Sequence, residues 1–236
     1  PSRGDAMSQE QEIVTQMQAL VDAIAMLERA GIIDFNGHVS ARVPGSDYVM
    51  INSGASVRSA VRLADIIMID MDGKPVGGDV SPPMEFHIHT EIYRSRPDVN
   101  AVVHAHPLWS TVLSMAGQAV LPVIMQAAVL GEVKRFGKIA SVNNKSLGEQ
   151  VAAALGEARV ITLKSHGAVT VGANILEAFV LAVYLEETAQ RQHLAMQVGS
   201  VAQLSEAEIA VISHNLWRPN LLQKVWDYHV AKLRRG

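Results

Sequence analysis

Residues 81–107, SPPMEFHIHTEIYRSRPDVNAVVHAHP, read as a helix followed by a buried strand. Pro82 and Pro83 suit the first positions of a helix, where no amide donor is needed. That helix is expected to run to about Arg94, with Glu85 and His89 one turn apart on one face. The buried strand expected over 99–104 then ends in His104, Ala105 and His106. Side chains two apart on an extended chain point the same way, so both imidazoles can reach one ion. Imidazole is the commonest metal ligand among side chains, and two on one face make half a site.

A third ligand must come from elsewhere, and His166 is the candidate. The β-branched run Val160, Ile161, Thr162 and Leu163 delivers it to a turn, where Gly167 is expected to relax the backbone. Three histidines leave coordination positions open for substrate, as catalytic metal sites do. Spacing alone leaves the bland alternative open, because a lone loop histidine is commonly a hydrogen-bonded surface group.

Outward from this stretch, Ser8 with Gln11 reads as a capping box, and Ile13, Val14, Met17, Leu20, Val21, Ile24 and Leu27 follow at helical spacing to Gly31. Asn36 and Gly37 mark a tight turn into a strand at 39–43, with 48–51 as its partner. Another strand at 66–69 precedes the hairpin signal Asp72 and Gly73. A helix is expected from Pro107 to about Met115, and a second over 147–158 behind a Ser146 and Glu149 capping box. Residues 168–171 read as a strand, and Asn174 caps a long helix over 175–197. Ser205 with Glu208, and then Pro219, open two final helices. Strands interleaved with helices give an α/β class.

A chain of 236 residues, 49% hydrophobic, can bury a real core and is read as one domain. A net charge of -3 with scattered Lys and Arg is no nucleic-acid footprint, so a small-molecule partner is expected. The absence of cysteine removes disulfides, thiolate ligands and cysteine nucleophiles together. No apolar stretch reaches membrane-spanning length and residues 1–8 lack a leader pattern, so a cytoplasmic protein is the expectation.

Four separated motifs, NGHVSAR at 36–42, Glu85 with YRSRP at 93–97, HAH at 104–106 and KSHG at 164–167, together resemble the class II aldolase/adducin family over roughly residues 10 to 200. The resemblance implies a three-layer α/β/α fold built on a central, mainly antiparallel sheet; the single domain is expected to span residues 8–236, with a helical extension from about residue 205 that lies outside the strongest resemblance. It implies a divalent metal on His104, His106 and His166, with Mn, Zn, Fe and Co all compatible, and Glu85 as the acid/base. Homotetramers with active sites between neighbouring subunits are also implied. Taken alone, Glu85 would read as a carboxylate favoured by a helix N-terminus.

Departures from the sugar-phosphate pattern narrow the expected substrate. Fuculose-phosphate-type aldolases carry two serines before the catalytic glutamate and an Asn after the glycine of the first motif, and these hold phosphate. Here Pro83, Met84 and His38 stand at those positions, and the loop INSG at 51–54 is one residue shorter than usual. Proline offers no amide donor and methionine no hydroxyl. The first motif is similar instead to the branch containing decarboxylases of hydroxylated aromatic or pyridine dicarboxylates, whose substrates present a phenolic oxygen beside a carboxylate. His38, Arg42, Ser53, Arg58 and Lys164 are candidates for a second carboxylate, with Arg58 read more simply as a surface charge. His89 is expected to orient Glu85 or contact substrate, and His87 to be structural. His193, His214 and His229 read as polar surface or interface residues. The alternatives are an aldolase or epimerase acting on a sugar phosphate or hydroxy-keto acid, and an adducin-like scaffold without catalysis.

Overall fold

Eight strands form one sheet in the computed structural model, which describes residues 9–234. In chain order they are β1 (His38–Arg42), β2 (Val49–Asn52), β3 (Ile66–Ile69), β4 (Pro75–Val76), β5 (Ala101–Ala105), β6 (Val133–Phe136), β7 (Val160–Leu163) and β8 (Gly167–Gly172). Across the sheet the order is β4-β3-β2-β1-β5-β8-β7-β6. Every neighbouring pair is antiparallel except β6 with β7, so the expected mainly antiparallel sheet is mixed at one edge.

Helices cover both faces. On one side α1 (Gln9–Arg29), α5 (Ile175–Val198) and α7 (Pro219–Leu233) pack Leu20, Ile24, Leu27, Phe179 and Leu222 with Val39, Ala41 and Val103 of the sheet. On the other, α2 (His87–Ser95) and α4 (Lys145–Leu155) pack Ile88, Ile92, Val151 and Leu155 with Ile51, Val102, Ile161 and Val169. α3 (Leu108–Met115) lies against α5 through Leu113, Leu181 and Leu185, and α6 (Glu206–Leu216) precedes α7. Because strand side chains alternate, β1 sends Val39 and Ala41 to the first layer and His38, Ser40 and Arg42 to the second. Fully burying each large aliphatic side chain contributes about 1.5–3 kcal/mol, so two dry layers hold the strand ends firmly.

Several local signals read from the sequence are realised. Asn174 accepts the Glu177 amide at the start of α5, Ser205 and Glu208 form the capping box of α6, and Pro219 opens α7. Others are displaced. The α2 helix begins at His87, and Glu85 lies in the turn before it: Phe86 and Ile88 donate to Pro83 and Glu85 three residues back, and the first four-residue bond is Thr90 to Phe86. The cap of α4 is Asn144, whose side chain accepts the Leu147 amide, two residues ahead of Ser146. β6 escaped the sequence reading, since VKRF carries two charges in four residues and shows no clean alternation. The Ser8 and Gln11 capping box lies partly outside the described residues.

Candidate metal centre

The centre forms where β5 ends, flanked by β1 and β8. Antiparallel pairing sets His38 of β1 opposite His104 of β5, and Ala168 of β8 opposite Ala105. The turn into β1 needs its glycine: Gly37 has φ +97, and a Cβ there would stand 3.2 Å from the His104 carbonyl oxygen. On the far side, the β7–β8 turn brings His166 back beside His106. The left-handed residue of that turn is Ser165, at φ 52, and its amide is held by Ser114 Oγ at 3.0 Å. Gly167 therefore serves close approach rather than backbone freedom, because a Cβ there would lie 2.2 Å from the Ala105 oxygen and 2.9 Å from His106 Cδ2.

The three imidazoles make a near-equilateral triangle, with ring centroids 5.2 Å apart for His104 and His106, 5.1 Å for His104 and His166, and 5.0 Å for His106 and His166. Glu85 occupies a fourth corner: its Oε2 is 3.4 Å from Nε2 of both His104 and His166. Its other oxygen accepts Ser141 Oγ at 2.9 Å and the Val142 amide at 2.7 Å, so the loop before α4 aims the carboxylate. One ligand atom from each of the four residues falls within 4.8 Å of the rest. Nδ1 of His104 lies 3.1 Å from the Ala168 carbonyl, which can only accept, so the proton sits on Nδ1 and Nε2 presents a lone pair. His104 Nε2, His106 Nε2 and His166 Nδ1 are buried without hydrogen-bond partners. Buried polar nitrogens left unmatched are costly, and a cluster of ligand atoms this tight, three imidazoles with a carboxylate, fits a divalent cation.

The electrostatics agree with an ionised acid beside a neutral His106. Burial pushes the Glu85 carboxyl up, but the His104 and His166 rings beside it hold it well below the usual carboxylate range. Burial, then His104 and His166, lower His106 to about 4. Burial chiefly lowers His38, assisted by His89 and His104, and brings His89 down to about 3. Both rings are therefore neutral at physiological pH.

The remaining candidates divide. His38 lies beside the centre, its ring 4.9 Å from that of His104. His89 does not orient Glu85 or face substrate as expected: it is fully buried behind His38, because α2 starts two residues after Glu85 and turns His89 toward β1. Arg42 sits four residues down β1, roughly 13 Å away at the strand rise, where its guanidinium donates to the carbonyls of Tyr93, Arg96 and Val99. Arg58 is buried, not a surface charge, and binds the carbonyls of Gly37, Ser53, Gly54 and Ser56, bracing the two loops that flank the centre. Ser53 is buried in the second of these loops, where the Gly54 amide donates to Ser81 just ahead of Pro82. Lys164 is exposed in the turn that carries His166. His229 is buried against Phe179, its ring 5.4 Å away, and is not a surface group. The sequence reading missed Ser141 and Val142, which hold Glu85, and Asp34, 3.9 Å from His106 Nδ1. Ser141 and Val142 lie more than fifty residues from Glu85, and no local pattern marks that contact.

Residues 18–193 match the family described as the Class II Aldolase and Adducin N-terminal domain. A 3,4-dihydroxyphthalate decarboxylase from Arthrobacter keyseri is 27% identical over 234 residues, covering 92% of this chain and 93% of that protein. An L-fuculose phosphate aldolase from Methanococcus vannielii is 30% identical over 173 residues, covering 72% of this chain and 91% of that one. The fold is shared with the L-fuculose 1-phosphate aldolase from Glaciozyma antarctica PI12, at a TM-score of 0.87 and 22% identity over 99% of this chain and 94% of that chain. The chain belongs to the class II aldolase and adducin family.

Proposed function

We propose that the protein is a metal-dependent carboxy-lyase acting on a hydroxylated aromatic or pyridine dicarboxylate, such as a dihydroxyphthalate. The observation that carries this reading is the wall beside an intact Glu85, His104, His106 and His166 cluster: Pro83 and Met84 precede the carboxylate and His38 stands beside His104. That wall lacks the hydroxyl donors that would hold a phosphate, while retaining the parts that stabilise an oxyanion. Similarity to a dihydroxyphthalate decarboxylase along nearly the whole of both chains supports it.

His104, His106 and His166 would hold the divalent ion, which when bound supplies Lewis-acid stabilisation of negative charge on a substrate oxygen. Glu85, ionised and fixed through Ser141 and Val142, is placed to take the proton of the substrate hydroxyl. It then returns that proton to the ring carbon bearing the departing carboxylate. The carbon–carbon bond breaks, carbon dioxide leaves, and the bonding pair restores the aromatic ring; solvent reprotonates the product oxygen. In this reading His38 contacts the bound acid, with Lys164, in the turn that carries His166, and Ser53, in the loop braced by Arg58, as its further candidate contacts. Phe35, Met84, Leu108 and Ile139, each within two residues in sequence of Asp34, Glu85, His106 or Ser141, are exposed apolar groups, which supports a homo-oligomer, a tetramer in this reading, whose neighbouring subunit covers the site.

A sugar-phosphate aldolase is the second reading, favoured by the similarity to the fuculose phosphate aldolases. Calorimetric titration of metal-loaded protein separates the two. Binding of 3,4-dihydroxyphthalate that weakens in His38→Ala is expected; saturable binding of fuculose phosphate with none of the ring acid overturns the proposal.

A further inference from the structure

Behind the metal centre, four side chains form a continuous hydrogen-bonded line through the otherwise apolar layer between the sheet and α2. His38 Nδ1 is 2.6 Å from His89 Nε2, His89 Nδ1 is 2.5 Å from Ser40 Oγ, and Ser40 Oγ is 2.7 Å from the Tyr93 hydroxyl. Two periodicities build it: His38 and Ser40 share a face of β1, and His89 and Tyr93 are one turn apart on α2. The four residues are 4%, 0%, 0% and 2% exposed, so water does not interrupt the line.

A neutral imidazole has one donor and one acceptor nitrogen, so the line runs in one of two polarities; a third arrangement, with Ser40 accepting from both His89 and Tyr93, would bury the Ser40 O–H with no acceptor among the described residues. In the first, Tyr93 donates to Ser40, Ser40 to His89 Nδ1 and His89 Nε2–H to His38 Nδ1, leaving His38 protonated on Nε2. In the second every bond reverses, and His38 carries its proton on Nδ1. Tyr93 discriminates between them. Its hydroxyl has Ser40 Oγ as its one acceptor among the described residues, and the Arg42 guanidinium, which can only donate, lies 4.7 Å from the ring centroid. Reversal would bury a phenolic O–H with nothing to accept it, an unmade bond that folded proteins avoid.

We propose that Tyr93, Ser40 and His89 are positioning residues that lock His38 as its Nε2–H tautomer, a neutral hydrogen-bond donor to an oxygen of the substrate bound beside His104. The lock also explains why four clustered histidines offer only three ligands. With Nδ1 accepting from His89 and Nε2 carrying hydrogen, His38 has no lone pair for a metal, although its ring is as close to His104 as those of His106 and His166. His104 is fixed in the opposite tautomer by Ala168. A neutral donor suits a carboxylate or phenolic oxygen and stands where sugar-phosphate relatives are expected to use an amide. The substrate half of this inference rests on the function proposed above; the tautomer does not.

Imidazole nitrogen NMR on the full chain labelled with ¹⁵N-histidine, prepared without metal, tests the lock directly, with His38→Gln and His89→Gln used to assign the signals. Both rings are expected to show a protonated-type Nε2 and an acceptor-type Nδ1, and a protonated Nδ1 on either overturns the proposal. Tyr93→Phe keeps the ring and removes the donor at the head of the line. It is expected to mix the His38 tautomers and to raise KM about 10-fold, with bound metal unchanged. His38→Gln, which keeps a donor, is expected to retain more activity than His38→Leu. Wild-type tautomers and KM in Tyr93→Phe would reduce the line to a packing feature and sink the inference. Because the spectrum needs no substrate, it stands even if the enzyme turns over a sugar phosphate instead.

Discussion

Gly167 lies so close to Ala105 that a Cβ at Gly167 would stand 2.2 Å from the Ala105 carbonyl oxygen. This approach of the β8 end to the β5 end sets the rings of His106 and His166 side by side, 5.0 Å apart. Gly167→Ala must push backbone against backbone. A loss of about 1–3 kcal/mol is expected from overpacking, together with weaker metal binding. Thermal unfolding and elemental analysis check this, and an unchanged Tm with full metal content would contradict it.

Each ligand should matter separately. His104→Ala, His106→Ala and His166→Ala are expected to lose most bound metal and activity while remaining folded, since each removes one of three converging nitrogens. Circular dichroism with metal analysis on the same preparation is the check. Full occupancy in His166→Ala would remove that residue from the site.

Glu85→Gln keeps the shape of the carboxylate and can still accept from Ser141 and Val142, but it cannot carry a proton. Metal and fold are expected to survive, with turnover lower by about 10²- to 10⁴-fold. Near-normal turnover would transfer the proton to another group.

Away from the site, Arg96 reaches both oxygens of Asp98, at 2.8 and 2.7 Å, and also binds the carbonyls of Gly156 and Ala158. Hydrogen bonding to Arg96 holds the Asp98 carboxyl below its ordinary value. A depressed acid contributes stability that is present above the unfolded pKa, about 3.9, and is lost as pH falls through the folded value. Asp98 is 63% exposed, so the contribution is about 0–1 kcal/mol. Urea unfolding should therefore find Asp98→Asn less stable than the parent at pH 7 and equal to it once Asp98 is protonated; a gap that widens in acid would contradict the assignment.

The individual elements and the pair His104 and His106 were legible because both rest on short-range signals, whereas the layered arrangement and the place of His166 beside them came from the resemblance of four separated motifs. Alternation, capping residues and His-x-His spacing each report local geometry, and the realised caps at Asn174 and Ser205 follow from that. What the sequence hid was long-range. Arg42 reads as a free charge for an anionic substrate and Arg58 more simply as a surface charge, yet both are consumed by backbone carbonyls that only the folded chain brings to them. His89 falls beside Glu85 only in a helix that starts at the prolines. The tight turn at Pro83 shifts that start to His87 and turns His89 from Glu85 toward His38 and Ser40.

The central claim is metal-dependent loss of carbon dioxide from a ring acid. The direct measurement is ¹³CO₂ release from carboxyl-labelled 3,4-dihydroxyphthalate, with aldehyde formation from fuculose and ribulose phosphates followed on the same metal-loaded protein. Release of ¹³CO₂ that stops on chelation and returns with a divalent ion is expected. Cleavage of a sugar phosphate to an aldehyde, with no ¹³CO₂ from the ring acid, would contradict the account.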